Sequence, residues 1–270
     1  MGADIKKLRN RIKSVDSTLH LTKAMGLVAS SKIRRATEGM LRAREYRRAV
    51  EAAIAPLMST EDCKQSAYMK QNASEGAKAC LLVIAGDRGM AGGYNANVFR
   101  TMREYPDVKV IPVGKRACDR YSGELCHAEA FSYADAREIA DEICKGFVEG
   151  RYSSFGILYT VYVSMLSQEA TVTDVLPLTL PENAGGSMDM IFEPGAVEIL
   201  DSAVPEYVAG RIFAAVRESF ASEVAARRCA MDSAGKNAQQ MIDDLQLAYN
   251  RARQGAITQE ITEIVAGAGN

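Results

Sequence analysis

The chain has 270 residues, of which 47% are hydrophobic and 25% charged, with a net charge of −1 and no Trp. That length is enough to bury a core in one or two domains, and the balanced charge produces no overall field that would select nucleic acid. The longest apolar run, Ala79–Ala85, is far shorter than the roughly 20 residues of a membrane-spanning helix.

The first segment is strongly basic. Its first 50 residues carry thirteen Lys and Arg against Asp4, Asp16, Glu38 and Glu45. A seam of alternating three- and four-residue steps runs through it: Ile5, Leu8, Ile12, Val15, Leu19, Thr22, Gly26, Ala29, Ile33, Ala36, Met40 and Ala43. That heptad pattern predicts one long helix. At 1.5 Å per residue, 50 residues extend about 75 Å, more than a domain of this size can bury by itself. The interspersed acids and the unbroken pattern read as mature protein rather than as a transit peptide. All seven prolines lie between 56 and 205. Pro56 can end the first helix, and Pro205 sits where a first helical turn accepts proline.

Between them the period changes. Residues 58–75 read as a polar linker. Ala79–Ala85 is a short apolar run ending in a turn, as a buried parallel strand would be. Val108–Val113 and Phe155–Ser164 read as further strands, and Ala170–Leu176 as a weaker fourth. Helical stretches at 94–104, 115–122 and 134–147 alternate with them, which predicts an α/β domain over 76–190 with a mostly parallel sheet. Residues 182–188 are a polar loop, and 191–204 a second linker. The last segment repeats the seam through Val224, Met231, Ala234, Ala238, Met241, Leu245, Ala248, Ala252 and Gly255. Gly26 and Gly255 each cost about 1 kcal/mol of helix propensity relative to Ala, and close helix packing is the simplest offset. The fold class expected is therefore α/β: a long antiparallel coiled coil of helices from 1–57 and 205–270, with an inserted Rossmann-like α/β domain. A helix pair with a domain at its side reads as mechanical.

Chemistry is sparse. Six cysteines at 63, 80, 118, 126, 144 and 229 form no CxxC pair, and His20 and His127 are isolated, so zinc-ligand spacing is absent. With no signal peptide, the cysteines read as reduced thiols in a cytosolic setting, most of them packing residues. Gly86-Asp87-Arg88-Gly89-Met90-Ala91-Gly92-Gly93-Tyr94-Asn95 follows the first strand and precedes a helix, like a phosphate cradle. It lacks both the dinucleotide fingerprint and a Gly-Lys-Ser/Thr, and reads better as a tight strand-to-helix turn, with Asp87 structuring the loop. No nucleophile, zinc-protease or paired-acid motif is present. Two other classes stand beside the mechanical one. One is a nucleotide-dependent α/β enzyme using Gly86–Gly93; the other is a coiled-coil scaffold whose basic helix binds nucleic acid. The same basic face also suits docking inside an acidic protein cavity.

Several segments then resemble one family. Leu21–Arg35 (LTKAMGLVASSKIRR), Asp87–Phe99 (DRGMAGGYNANVF), Ser222–Met231 (SEVAARRCAM) and Asp244–Ala268 look like the ATP synthase gamma subunits, in the expected order. The stretch ARQ-x-x-IT-x-E-I-T-E-I-V at 252–265 is the most specific. The resemblance implies a central rotor shaft that makes no bond and holds no cofactor or metal. It turns inside a ring of alternating alpha and beta subunits, with epsilon and the membrane c-ring as further partners. Neither nucleic acid nor direct membrane insertion is implied, and the place implied is the cytoplasmic face of a bacterial membrane. By the same resemblance Arg253 and Gln254 match contacts to a catch loop of beta, and Thr258 and Glu260 match nearby coupling positions. Met25 and Arg227 match the middle of the shaft, and Tyr207 to Arg211 the foot that meets the membrane ring. Gly26 and the Arg228-Cys229 pair depart from the family pattern, and the cysteine insertion of plastid members is absent.

Overall fold

The computed structural model describes residues 2–70, 76–124, 126–179 and 192–268. The expected polar loop at 182–188 lies outside them. The elements are α1 (Gly2–Met58), β1 (Lys78–Ile84), α2 (Tyr94–Thr101), β2 (Lys109–Val113), α3 (Lys115–Tyr121), α4 (Tyr133–Val148), β3 (Tyr152–Tyr162), β4 (Gln168–Leu176) and α5 (Ala196–Ala268). Short 3₁₀ turns occupy Asp62–Gln65 and Met102–Glu104. The chain divides into two compact units, Ser31–Ala226 and the residues up to Ser30 together with those from Arg227 onward. The two long helices contribute to both.

In the larger unit the sheet order is β2-β1-β3-β4. β1 runs parallel to β2 and to β3, and β4 returns antiparallel beside β3. β1 is covered on both faces, and its side chains alternate between two cores as strand geometry requires. Leu81 and Val83 face Val98, Met102, Ala117 and Leu158. Cys80, Leu82 and Ile84 join α4 and α5 in the main core. Pro112 is tolerated because β2 is an edge strand, where a missing N–H costs no ladder bond. Ser132 and Asp135 form a capping box that starts α4. Leu200, Val204, Val208, Ile212 and Val216, at four-residue spacing on α5, are fully buried against this core.

One boundary corrects the sequence reading. α5 begins at Ala196, so much of the expected linker 191–204 is helix and Pro205 lies inside it. A proline there lacks an N–H donor and crowds the preceding turn, but Leu200, Val204 and Val208 are buried around it, and that packing offsets the local cost. Pro56 likewise falls two residues before the end of α1.

In the smaller unit, α1 and α5 pair antiparallel. The Arg9 guanidinium donates to the Tyr249 hydroxyl at 3.3 Å, and Arg228 Nη1 donates to the Gly26 carbonyl at 3.2 Å. Leu19, Ala238 and Ile242 form a small core with Val15 against them. Every seam position expected on α1 is buried or half-buried. On α5 alternate positions shift by one residue. Met231, Ala238, Leu245 and Ala252 hold, but Met241, Ala248 and Gly255 are exposed, and Ile242, Tyr249 and Ala256 turn inward instead. Both phases alternate threes and fours, so spacing alone does not choose between them; the phase adopted buries Ile242 and half-buries Tyr249.

Candidate functional site

The glycine-rich loop is occupied by its own chain. The Gly86 amide donates to Asn95 Oδ1 at 2.9 Å, and Asn95 Nδ2 donates to the Arg88 carbonyl at 3.3 Å. The Asp87 carboxylate accepts from the amides of Lys115, Ala128 and Glu129 at 3.0, 3.1 and 3.0 Å, with His127 Nδ1 3.4 Å away. It thus ties the start of α3 and the 128–129 segment to the loop, the structuring role expected from the sequence. A Cβ on Gly86 would lie 2.8 Å from the carboxylate carbon of Glu223, a 2% exposed side chain of α5. The space beside the loop that a phosphate would need holds a carboxylate, which repels one. Gly114, at φ +88°, is fixed more strictly: a Cβ there would sit 1.9 Å from the Ala85 carbonyl oxygen.

Two carboxylates of α5 clamp the α/β domain to α1 within the larger unit. Glu218, 5% exposed, takes a forked pair from Arg44 Nε and Nη2 at 3.1 and 2.6 Å, and the Tyr162 amide donates to it at 3.1 Å. Arg44 also donates to the Tyr162 carbonyl at 3.0 Å, so α1, α5 and β3 meet at one buried ion pair. The second clamp is more open. Glu206 accepts from Tyr46 at 2.5 Å, from Tyr133 and from Arg137. Those hydroxyl donors, Tyr133 first, hold its carboxyl below the usual carboxylate range, and burial pushes the Tyr133 phenol up. Neither clamp was foreseen; the available signal was Glu218, the only charge besides Arg217 in the stretch 212–222 of α5. Burial also raises Cys80 and Cys144 to about 12 and Cys126 to about 11, so none is a ready thiolate. All six cysteines are free, and among the described residues no group of His, Cys, Asp and Glu is placed to hold a metal.

The residues expected to make contacts fall in three places. Met25 and Arg227 are half-buried in the paired part of the smaller unit. Arg253, Gln254, Thr258 and Glu260 are all exposed near the end of α5. At 100° per residue they divide into two faces: Arg253 with Glu260, seven apart, and Gln254 with Thr258, four apart. The Thr258 hydroxyl donates to the Gln254 carbonyl at 2.9 Å. Gly255 has open space around its Cα, so close packing does not explain it, contrary to the sequence argument; a Cβ on Gly26 would make only ordinary contact, 3.6 Å from Met231. Tyr207 and Arg211 belong to the larger unit, and Arg211 is turned inward, donating to Glu51 at 2.8 Å and to the Tyr207 hydroxyl at 3.3 Å. The end of α5 has no partner surface from its own chain among the described residues. Every residue from 257 to 267 is exposed, including Ile257, Ile261, Ile264 and Val265 at 44%, 56%, 69% and 67%.

Comparison with known proteins accounts for this combination. The family model described as ATP synthase matches residues 4–269. The ATP synthase gamma chain of Ruminococcus albus is 38% identical, covering 99% of both chains. The chain belongs to the ATP synthase gamma-chain family. A sodium-ion-specific ATP synthase gamma chain from Acetobacterium woodii is 35% identical, again over 99% of each. In fold, the gamma-chain member described here is similar to a chain of the Euglena gracilis mitochondrial ATP synthase, from a structure of its OSCP/F1/c-ring in rotational state 3. The TM-score is 0.66 at 19% identity, over 98% of this chain and 94% of that one. Family membership favours the mechanical reading over both the nucleotide-dependent enzyme and the nucleic-acid scaffold. No helix among the described residues is long and apolar enough to cross a membrane.

Proposed function

We propose that this gamma-family chain is the central-stalk rotor of a proton- or sodium-driven ATP synthase. It carries rotation from the membrane c-ring to the alpha and beta subunits, binds epsilon, regulates ATP hydrolysis and ion flow, and makes no bond itself. It works at the cytoplasmic face of the membrane as a peripheral protein. Beside the family relationship, the supporting observation is the end of α5. A helix whose last turns expose four large aliphatic side chains is stable in water only as a liability, and enclosure by partner chains removes that apolar surface from solvent. Different side chains of one helix face different directions, so turning the helix presents Arg253 with Glu260, then Gln254 with Thr258, to whatever surrounds it. Each angle then favours a different conformation of the neighbouring catalytic subunit, which is how a shaft biases sites it does not touch.

The remaining contact roles are carried over from the family resemblance. Met25 and Arg227 are the mid-stalk contacts with beta. Tyr207 and Arg211 belong to the foot toward the ring, Arg211 acting through its hold on Glu51 and the Tyr207 hydroxyl. The Glu218 and Glu206 clamps join the α/β domain to the helices within the larger unit, so a load on the domain reaches the helices without slack. The test is to tag the chain in its host, purify it gently and identify what accompanies it. Alpha, beta, epsilon and c-ring subunits in constant proportion support the reading, and a chain that purifies alone or with nucleic acid refutes it.

A further inference from the structure

Within the larger unit, a cleft of about 690 Å³ opens between α1, α5 and the loop at Glu129. Its volume falls within the range typical of small-molecule sites, roughly 300–1,000 Å³. Lys32, Arg35 and Arg42 line one wall. They lie on one face of α1 at three- and seven-residue steps and span about 15 Å along its axis. Arg217 of α5 faces them. The one carboxylate lining the cleft, Glu129, is already engaged by Lys32 at 2.5 Å. Arg35 and Arg42 have no carboxylate within ion-pair distance among the described residues. Arg217 donates to the Phe131 carbonyl at 2.6 Å and stacks 5.0 Å from the Phe213 ring centre, with no carboxylate in ion-pair distance among the described residues. Burial lowers its affinity for its proton, yet an arginine stays charged in protein. The cleft therefore holds an excess of fixed positive charge that no described residue neutralises. Tyr46, Phe213 and Phe220 supply aromatic surface beside it.

We propose that this cleft binds a chain of phosphates, either free or carried by a nucleoside. Guanidinium forks match phosphate oxygens in pairs, and the unpaired Arg35 and Arg42, about 10 Å apart along α1 and faced by Arg217, fit a short chain of phosphates better than a single anion. The aromatic rings would accept the base of a nucleotide. This site is distinct from the glycine-rich loop, whose space Glu223 and Asp87 fill.

The experiment is calorimetric titration of the purified full chain, at low ionic strength, with inorganic triphosphate and separately with ATP. Both are expected to bind, and added salt should weaken binding, as screening of exposed charges requires. Tighter binding of ATP than of triphosphate assigns a role to the aromatic wall; equal binding assigns the site to the phosphates alone. Arg35→Gln with Arg42→Gln changes two exposed side chains, so folding should persist by circular dichroism, and affinity should fall at least about tenfold. Glu129→Gln, which frees Lys32, should tighten binding. Lys6→Gln with Lys7→Gln removes equal charge elsewhere on α1 and should leave it unchanged. The proposal is overturned by no binding at millimolar triphosphate, by undiminished binding in the Arg35/Arg42 variant, or by an equal loss in the Lys6/Lys7 variant. It is also overturned if a polyglutamate peptide binds while triphosphate does not, which would make the cleft a docking site for an acidic protein segment.

Discussion

The same helix, α5, meets two environments. From Val208 to Ala225 it lies in the larger unit, packed by the sheet, α4 and α1, and nearly every side chain is buried or half-buried. From Met231 to Ala256 it has only α1 beside it, and burial shrinks to a single seam of one residue every three or four. The cementing interactions differ as well. The larger unit uses long-range charged clamps, Arg44–Glu218 and the Glu206 cluster. The smaller unit relies on the seam and on single hydrogen bonds across it from Arg9 and Arg228, with exposed pairs one turn apart such as Asp16–His20 and Asp232–Lys236, each worth little in water. One region is built to hold its shape alone. The other keeps a thin seam and leaves most of its surface for partners.

The largest effect should come from the backbone of the larger unit. Gly114→Ala puts a Cβ into a carbonyl oxygen at a positive φ, and should cost about 4 kcal/mol or more, seen as loss of the cooperative melt or of soluble protein. Glu218→Ala leaves Arg44 partly buried without its carboxylate and should cost about 3–5 kcal/mol, read by denaturant titration. A seam substitution should behave differently. Leu19→Ala should cost about 2–3 kcal/mol, and hydrogen exchange should rise mainly in residues near 15–26 and 231–245, leaving β1 and β3 protected. Exchange rising equally in both units would erase the distinction drawn above.

A smaller effect sharpens it by pH. The folded carboxyl of Glu206 titrates below its unfolded value. Its contribution is therefore present above the ordinary carboxylate pKa of about 4.3 and lost as pH falls through the lowered folded value. Glu206→Gln should lower Tm at pH 7 by an amount corresponding to at most about 1 kcal/mol, since the pair is partly exposed. That gap should close as the pH is taken below about 4. A gap that persists in acid would mean that the carboxylate charge does not stabilise the clamp.

The α/β alternation and the two long helices were legible because each rests on local periodicity: the run at Ala79–Ala85, and the α1 seam that matches burial at every position. The phase of the α5 seam was not, because a step of three and a step of four both land on the facing side; only the partner helix decides between Met241 and Ile242. The start of α5 was hidden by Pro205, whose local penalty is overridden by burial around it. The clamps join side chains 69 to 174 positions apart, beyond any window of sequence. The family segments pointed to Arg253, Gln254, Thr258 and Glu260, and the structure adds that they occupy two faces of one exposed helix.

The central claim is that this chain turns within a complex that hydrolyses ATP. Complexes of it with alpha and beta subunits, anchored through beta and carrying a bead on an exposed residue of the larger unit, test that directly. The account predicts stepwise, one-directional rotation of the bead when ATP is added, slowed in complexes with Arg253→Ala and Gln254→Ala although the variant chain folds as before. ATP hydrolysis at the normal rate with a stationary bead would contradict it.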